Sequence, residues 1–119
     1  MVFEKKDYLI TGRKNPKTKE KIRLKLRYLL NNYSKCLIGI SNQADGRLRF
    51  RLEKEGYKAL FYVYRSNTFE SVDHYTEVFQ DLYVNEANKE NEELATAISE
   101  DGKGPFFLFV AGRKRKRGY

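Results

Sequence analysis

The segment Cys36-Leu37-Ile38-Gly39-Ile40 limits the range of possible folds more than any other stretch of the chain. It is a continuous apolar run, which is typical of a β-strand with both faces buried. Residues 41–46 follow as a polar turn that can cap a helix over 46–55, and 59–64 is a second apolar strand rich in aromatic residues. A strand, a helix and a second buried strand in close succession predict a domain that mixes helices and strands.

The flanking sequence adds further elements to this centre. Residues 69–83 carry apolar side chains at helical spacing, and 106–110 is a last apolar strand. Residues 8–10 predict a short strand near the start of the chain, and a short helix is predicted around 94–98. Strict alternation along 59–64 would place Tyr62 and Tyr64 on one face of their strand.

Segment 22–33 fits two patterns. Its first five residues alternate as in a strand, whereas a longer set of apolar positions follows helical spacing. The positions of the helical set are Ile22, Leu26, Leu29, Leu30 and Tyr33. The longer match, and Asn31-Asn32 as a suitable end, favour a helix that is preceded by an exposed loop over 13–21.

These elements predict an α+β (mixed α/β) fold in which about three central strands form a small sheet flanked by helices. The length of 119 residues suits one domain over 1–111. Within it we expect a core over 33–111 and a basic strand and helix over 1–32. Residues 112–119 form a basic tail.

Composition excludes several classes of protein. Hydrophobic residues make up 40% of the chain and aromatic residues 14%, which is enough for a core and argues against global disorder. One cysteine cannot build a disulfide framework or a cysteine zinc site. The chain has no apolar run of about 18 residues, and its first ten residues lack a secretory pattern. We therefore expect a cytoplasmic protein without a membrane partner.

The net charge of +8 is distributed unevenly. Residues 1–67 carry a net charge of +11, residues 68–111 carry −8 and the tail adds +5. This excess indicates a polyanionic partner. If the tail folds back beside the basic first half, the two form one groove for a polyanion. If it does not, the tail is a free basic arm.

The turn after the first buried strand carries a resemblance to a known family. Ile38-Gly39-Ile40-Ser41-Asn42 leads into a helix, and Arg47 stands eight residues after Gly39. This pattern resembles the second half of the GIY-YIG nuclease core, over roughly 33–111. In that core a strand ending in Tyr-Ile-Gly leads through a turn to a helix with an arginine at this distance. The position of the motif tyrosine is Leu37 here.

The resemblance implies a metal-dependent endonuclease that hydrolyses phosphodiester bonds. Arg47 would then hold the phosphate, and tyrosines of the strands, for which Tyr8 and Tyr62 are the candidates, would position the attacking water. Glu77 would bind one Mg²⁺ or Mn²⁺ as the Lewis acid.

The basic residues predict binding to nucleic acid, with DNA favoured over RNA. If 18–31 is a helix, three of them share one of its faces. The remaining ones lie on the helix over 46–55 and in the tail. The predicted contact residues are Lys19, Arg23, Arg27, Arg49, Arg51, Arg113 and Arg115.

Two alternatives to the nuclease stay open. The chain could bind DNA or RNA on the same fold without cleaving it, which the leucine at position 37 favours. It could also be a protein-interaction module that uses its acidic helix.

Overall fold

A computed structural model of the chain describes residues 4–6, 9–42, 46–87, 92–99 and 102–116. The elements in chain order are β1 (Glu4–Lys6), α1 (Pro16–Asn32), β2 (Tyr33–Ser34), β3 (Leu37–Ser41), α2 (Gly46–Lys54), β4 (Ala59–Ser66), α3 (Phe69–Leu82), a 3₁₀ turn (Glu92–Ala95), β5 (Thr96–Ala97), β6 (Phe106–Gly112) and β7 (Lys114–Arg115). The predicted α+β fold is confirmed.

The main sheet of the described residues has five strands in the order β1-β4-β6-β3-β5. β6 is antiparallel to both of its neighbours, while β1 is parallel to β4 and β5 is parallel to β3. The three predicted strands therefore form the centre, and two short strands extend it to five. The remaining two strands, β2 and β7, pair antiparallel in a small second sheet.

The helices cover the sheet from two sides. The buried residues of α1 and α3 share one hydrophobic cluster with Ile38, Phe61 and Val110, whereas those of α2 share the other cluster with Leu37 and Leu60. The connections β1-α1-β3 and β4-α3-β5 run in one direction along the sheet, and β3-α2-β4 runs back. Because crossovers between parallel strands keep one hand, the returning helix lies on the opposite face. No helix in the described ranges is long and apolar enough to span a membrane.

Helix α1 confirms the helical interpretation of 22–33 and corrects the predicted loop before it. Asn15 is the N-cap, and its Oδ1 accepts a hydrogen bond of 2.8 Å from the Thr18 N–H. Pro16 occupies the first turn, where a missing N–H has no cost. The loop predicted over 13–21 is therefore wrong from Pro16 onward.

Three other predicted elements differ in the structure. The structure has a strand earlier than predicted, β1 at Glu4–Lys6. Ile10, from the predicted strand over 8–10, forms an isolated bridge with Tyr64. The helix predicted around 94–98 is a 3₁₀ turn followed by β5, because the backbone of β3 pairs with β5 at this edge of the sheet. Strand β4 has a bulge between Tyr62 and Tyr64, so the two side chains lie on opposite faces instead of one.

Gly39 allows β3 to lie close to its surroundings. A Cβ at this position would lie 2.5 Å from the Ala95 carbonyl oxygen and 2.5 Å from Phe109 Cζ. All five residues of β3 are buried, as the continuous apolar run predicts. The glycine is thus required by packing on the face that α2 covers.

We expect Gly39→Ala to lower the free energy of unfolding by about 2 kcal/mol, because overpacking against a backbone atom is relieved only by moving a strand. Urea denaturation followed by circular dichroism measures the loss. Gly56→Ala is the matched control, since no atom lies within 4 Å of its added Cβ and only its φ of 89° opposes the change. A smaller loss at Gly39 than at Gly56 would contradict the close packing.

Candidate nucleic-acid interface

The basic tail folds back beside the end of α1. Tyr33 pairs with Arg115 and Ser34 with Lys114 in the antiparallel β2–β7 sheet. The Lys116 N–H donates a hydrogen bond of 2.7 Å to the Asn32 carbonyl oxygen. Of the two arrangements that the sequence left open, residues 113–116 adopt the one that joins the tail to the basic first half. Arg117 lies outside the described residues.

Two contacts hold the tail in this position. Gly112 has no side chain where a Cβ would lie 2.6 Å from Tyr33 Cβ, so β6 can pass directly against β2. The Lys116 Nζ donates a hydrogen bond of 3.1 Å to the Leu30 carbonyl oxygen in the last turn of α1. A cation at a helix C-terminus satisfies a carbonyl that has no partner within the helix and interacts favourably with the helix dipole.

This fold-back borders a cleft of about 500 Å³. Among the described residues that line it, three are cationic, Arg27 from α1, Lys35 from the β2–β3 turn and Lys116 from the tail, and one is acidic, Glu86. We call this site the basic cleft. Asn31 also lines it. The cleft therefore presents positive charge from three separate segments of the chain.

Arg27 is held in place on two sides. Its guanidinium lies 4.7 Å from the centroid of the Tyr83 ring, and its Nη1 is 3.0 Å from the Glu86 Oε2. The stacking on Tyr83 restricts the side chain before any ligand arrives. The Glu86 carboxylate occupies part of the guanidinium fork, which is the group that recognises phosphate oxygens. A phosphate at Arg27 would compete with Glu86.

The other predicted contact residues of α1 lie along the same helix. Lys19 is exposed, and Arg23 forms an ion pair with Glu20 in which its Nε lies 2.9 Å from Oε2. The hydrogen bond from Arg23 lowers the pKa of the Glu20 carboxyl. Arg23 is thus partly neutralised by its own helix, whereas Lys19 faces solvent.

The remaining predicted contact residues are divided between α2 and the tail. On α2, Arg51 is exposed and Arg49 Nε lies 3.2 Å from Glu53 Oε1. In the tail, Arg115 is exposed, and the half-buried Arg113 places its guanidinium 5.1 Å from the Tyr57 ring centroid. Arg49 and Arg51 thus lie on the helix that covers the other side of the sheet from α1, whereas Arg115 pairs with Tyr33, which lines the basic cleft.

The structure does not bring the residues implied by the GIY-YIG resemblance into one site. Arg47 is exposed in the first turn of α2, and Tyr62 is buried on the same side of the sheet. The centroids of the Tyr62 and Phe107 rings are 5.1 Å apart. Glu77 is exposed on α3, which covers the opposite side. Tyr8 lies outside the described residues.

No group of three or more His, Cys, Asp or Glu side chains in the described ranges is arranged to hold a metal ion. Comparison with protein-family models, with curated proteins and with solved structures finds no match to this chain. The GIY-YIG resemblance therefore stays a prediction.

Sequence reasoning missed Lys35 and Lys116 as members of a site. Lys35 has a φ of 51° in the turn between β2 and β3, and Lys116 was one of five consecutive cations in the tail. Nothing in the local sequence distinguishes Lys116 from its neighbours. Its role depends on the register of the β2–β7 pair, which joins residues about eighty positions apart.

The Cys36 thiol lies buried next to the basic cleft. Its Sγ donates a hydrogen bond of 3.3 Å to the Tyr33 carbonyl oxygen. Burial raises the pKa of Cys36 to about 11 from an ordinary value of 9.0, and the positive charge of Lys116 partly opposes this rise. The folded protein therefore holds this proton more tightly than the unfolded chain does.

We expect the stabilising contribution of this thiol to be complete below pH 9 and to be lost as the pH rises towards 11. The stability advantage of the wild type over Cys36→Ala should then shrink by about 2 kcal/mol over this range, since one pKa unit corresponds to about 1.4 kcal/mol. Urea denaturation of both proteins at several pH values measures it. Tyrosine and lysine titrations affect both proteins and cancel in the difference. A difference that is independent of pH would contradict the buried thiol.

Proposed function

We propose that the protein binds nucleic acid, with DNA as the favoured partner, and that the basic cleft is its principal contact with phosphate. The observation that carries the proposal is the fold-back of the tail, which sets Lys116 beside Arg27 and Lys35 around a cleft of about 500 Å³. Three cations against one carboxylate favour a ligand with closely spaced negative charges. A sugar–phosphate backbone has this property.

The form of the site also supports a phosphate ligand. Arg27 is oriented in advance by Tyr83, and the two lysines approach from segments that the β2–β7 pair holds together. Such contacts give affinity without sequence choice, and they release counterions from the nucleic acid. Among the acidic residues of segment 68–111 whose side chains the structure describes, Glu86 is the one that lines the cleft.

We expect the double variant Lys35→Gln/Lys116→Gln to bind a fluorescently labelled oligonucleotide more weakly, by about tenfold at 0.1 M salt. The slope of log K against log[salt] should become shallower by nearly 2, because each lost phosphate contact removes close to one released counterion. Fluorescence anisotropy titrations at several salt concentrations measure both quantities. Circular dichroism and urea denaturation verify that the variant is folded.

Matched variants separate the site from the net charge. Lys14→Gln/Lys103→Gln removes the same charge, but Lys14 precedes α1 and Lys103 precedes β6, at the ends of those elements away from the cleft. Glu86→Gln should strengthen binding by releasing Arg27, and Glu53→Gln on α2 is its control. Equal effects of cleft variants and controls would overturn the basic cleft as the binding site.

The second candidate function is cleavage by a GIY-YIG mechanism with Mg²⁺ or Mn²⁺. It is favoured by Arg47 and Tyr62 lying on the same side of the sheet. It requires a carboxylate such as Glu77 beside the same phosphate, and α3 lies on the other side. The separation of these residues makes binding without cleavage our preferred proposal.

We expect supercoiled plasmid to stay intact when the protein is incubated with Mg²⁺ or Mn²⁺, because Arg47 and Glu77 lie on helices that cover opposite sides of the sheet. Gel electrophoresis over a range of metal concentrations measures nicking. Arg47→Ala is the control for a contaminating nuclease, whose activity it would leave unchanged. Nicking by the wild type that Arg47→Ala abolishes would replace the binding proposal with the nuclease.

A further inference from the structure

The outer face of α1 exposes two large apolar side chains near lysines. Leu24 is 56% exposed and Tyr28, one turn later, is 58% exposed. Lys21 precedes Leu24 by three residues, and the Lys25 Nζ lies 5.9 Å from the centroid of the Tyr28 ring. An exposed aromatic ring beside a cation can contact a ligand that has both aromatic and anionic parts.

Tyr28 lies one helix turn from the basic cleft. Asn31, which lines the cleft, is three residues further along the same face of α1. The Asn32 side-chain amide donates a hydrogen bond of 2.7 Å to the Tyr28 carbonyl oxygen, which ties this turn to the end of α1. Residues three apart on a helix have Cβ atoms about 5–6 Å apart. This distance is similar to the spacing of neighbouring nucleotides in a strand.

We propose that Tyr28 is a stacking platform for a nucleobase and that the ligand of the basic cleft is therefore single-stranded nucleic acid. The proposal rests on the proposed function and names its substrate class. A strand whose phosphate binds in the basic cleft beside Asn31 would have a neighbouring base within reach of Tyr28, which lies one turn earlier on the same helix face. In a duplex the faces of the bases are already stacked on one another, so only a single strand can offer one to the tyrosine.

The charge around the ring favours this ligand over an apolar partner protein. Lys21 precedes the apolar pair and Lys25 lies between its two members, and the basic cleft adds further cations at the end of the same helix. The Lys25 ammonium lies over one face of the ring, and the large exposed area of Tyr28 leaves room for a base. Stacking on aromatic side chains beside a cationic groove is how proteins bind single strands without choosing a sequence.

The test uses three ligands of equal length, about 12 nucleotides, which spans one binding site. They are a single-stranded DNA, the same backbone without bases, and a duplex. Fluorescence anisotropy compares the wild type with Tyr28→Ala and Tyr28→Phe. The matched control is Phe50→Ala, which removes a ring that is 62% exposed on α2, on the other side of the sheet.

Tyr28→Ala should weaken binding of the single strand about tenfold, while Tyr28→Phe and Phe50→Ala keep the wild-type affinity. The salt slope should stay unchanged in Tyr28→Ala, because no phosphate contact is removed. The wild type should bind the abasic strand more weakly than the DNA strand, and Tyr28→Ala should bind both alike.

Three outcomes would overturn this inference, and they show whether the function on which it rests also fails. If Tyr28→Ala binds all three ligands as the wild type does, while Lys35→Gln/Lys116→Gln binds them more weakly, stacking is overturned and the basic cleft stands. If Tyr28→Ala weakens the abasic strand and the duplex as much as the single strand, the ring has no role in base recognition and the inference also fails. If the wild type binds no ligand with a salt-dependent affinity, both proposals fail, and the exposed pair belongs to a protein interface instead.

Discussion

The strand β6 is the element on which the rest of the structure depends. It enters the centre of the sheet late in the chain and pairs antiparallel with β3 on one side and β4 on the other. These two strands have no direct hydrogen bonds to each other, so they become one sheet only through β6. All seven residues of β6 are buried. They alternate between the two hydrophobic clusters, so this single strand joins the core under α1 and α3 to the core under α2.

The same strand delivers the tail to the candidate site. β6 ends at Gly112, which passes against Tyr33, and β7 then pairs with β2 beside the last turn of α1. Lys116 serves the fold and the cleft at once, since its ammonium binds the Leu30 carbonyl oxygen and also lines the cavity. The positive charge of the cleft is therefore a consequence of sheet assembly and not of any one basic segment.

The hand of the crossovers separates the residues of the nuclease hypothesis. The chain runs along the sheet in one direction through α1 and α3 and returns through α2, so α2 must cover the opposite face. Arg47 belongs to α2 and Glu77 to α3. The sheet thus lies between the side chain that would hold a phosphate and the one that would hold a metal ion. The basic cleft lies at the last turns of α1, on the side of the sheet away from Arg47.

The sequence by itself determined the elements whose periodicity is strong. The apolar runs of β3, β4 and β6 and the helical spacing in α1 and α3 were readable because burial of a whole face leaves a regular pattern. The start of α1 was missed because its first turn is polar. The residues that begin the helix, Asn15 and Pro16, also suit a loop. The bulge that places Tyr64 and Tyr62 on opposite faces could not be predicted from the sequence pattern of β4, because it arises from the register against β6.

The excess of positive charge was also a property of composition. Only the tertiary structure decided which cations act together, because Arg27, Lys35 and Lys116 meet through backbone pairing between residues far apart in the chain. Main-chain hydrogen bonds are chemically alike at every residue, so the sequence around a strand does not state which partner it will take. The sequence determined the net charge of the chain, and the fold determined which basic residues lie close together.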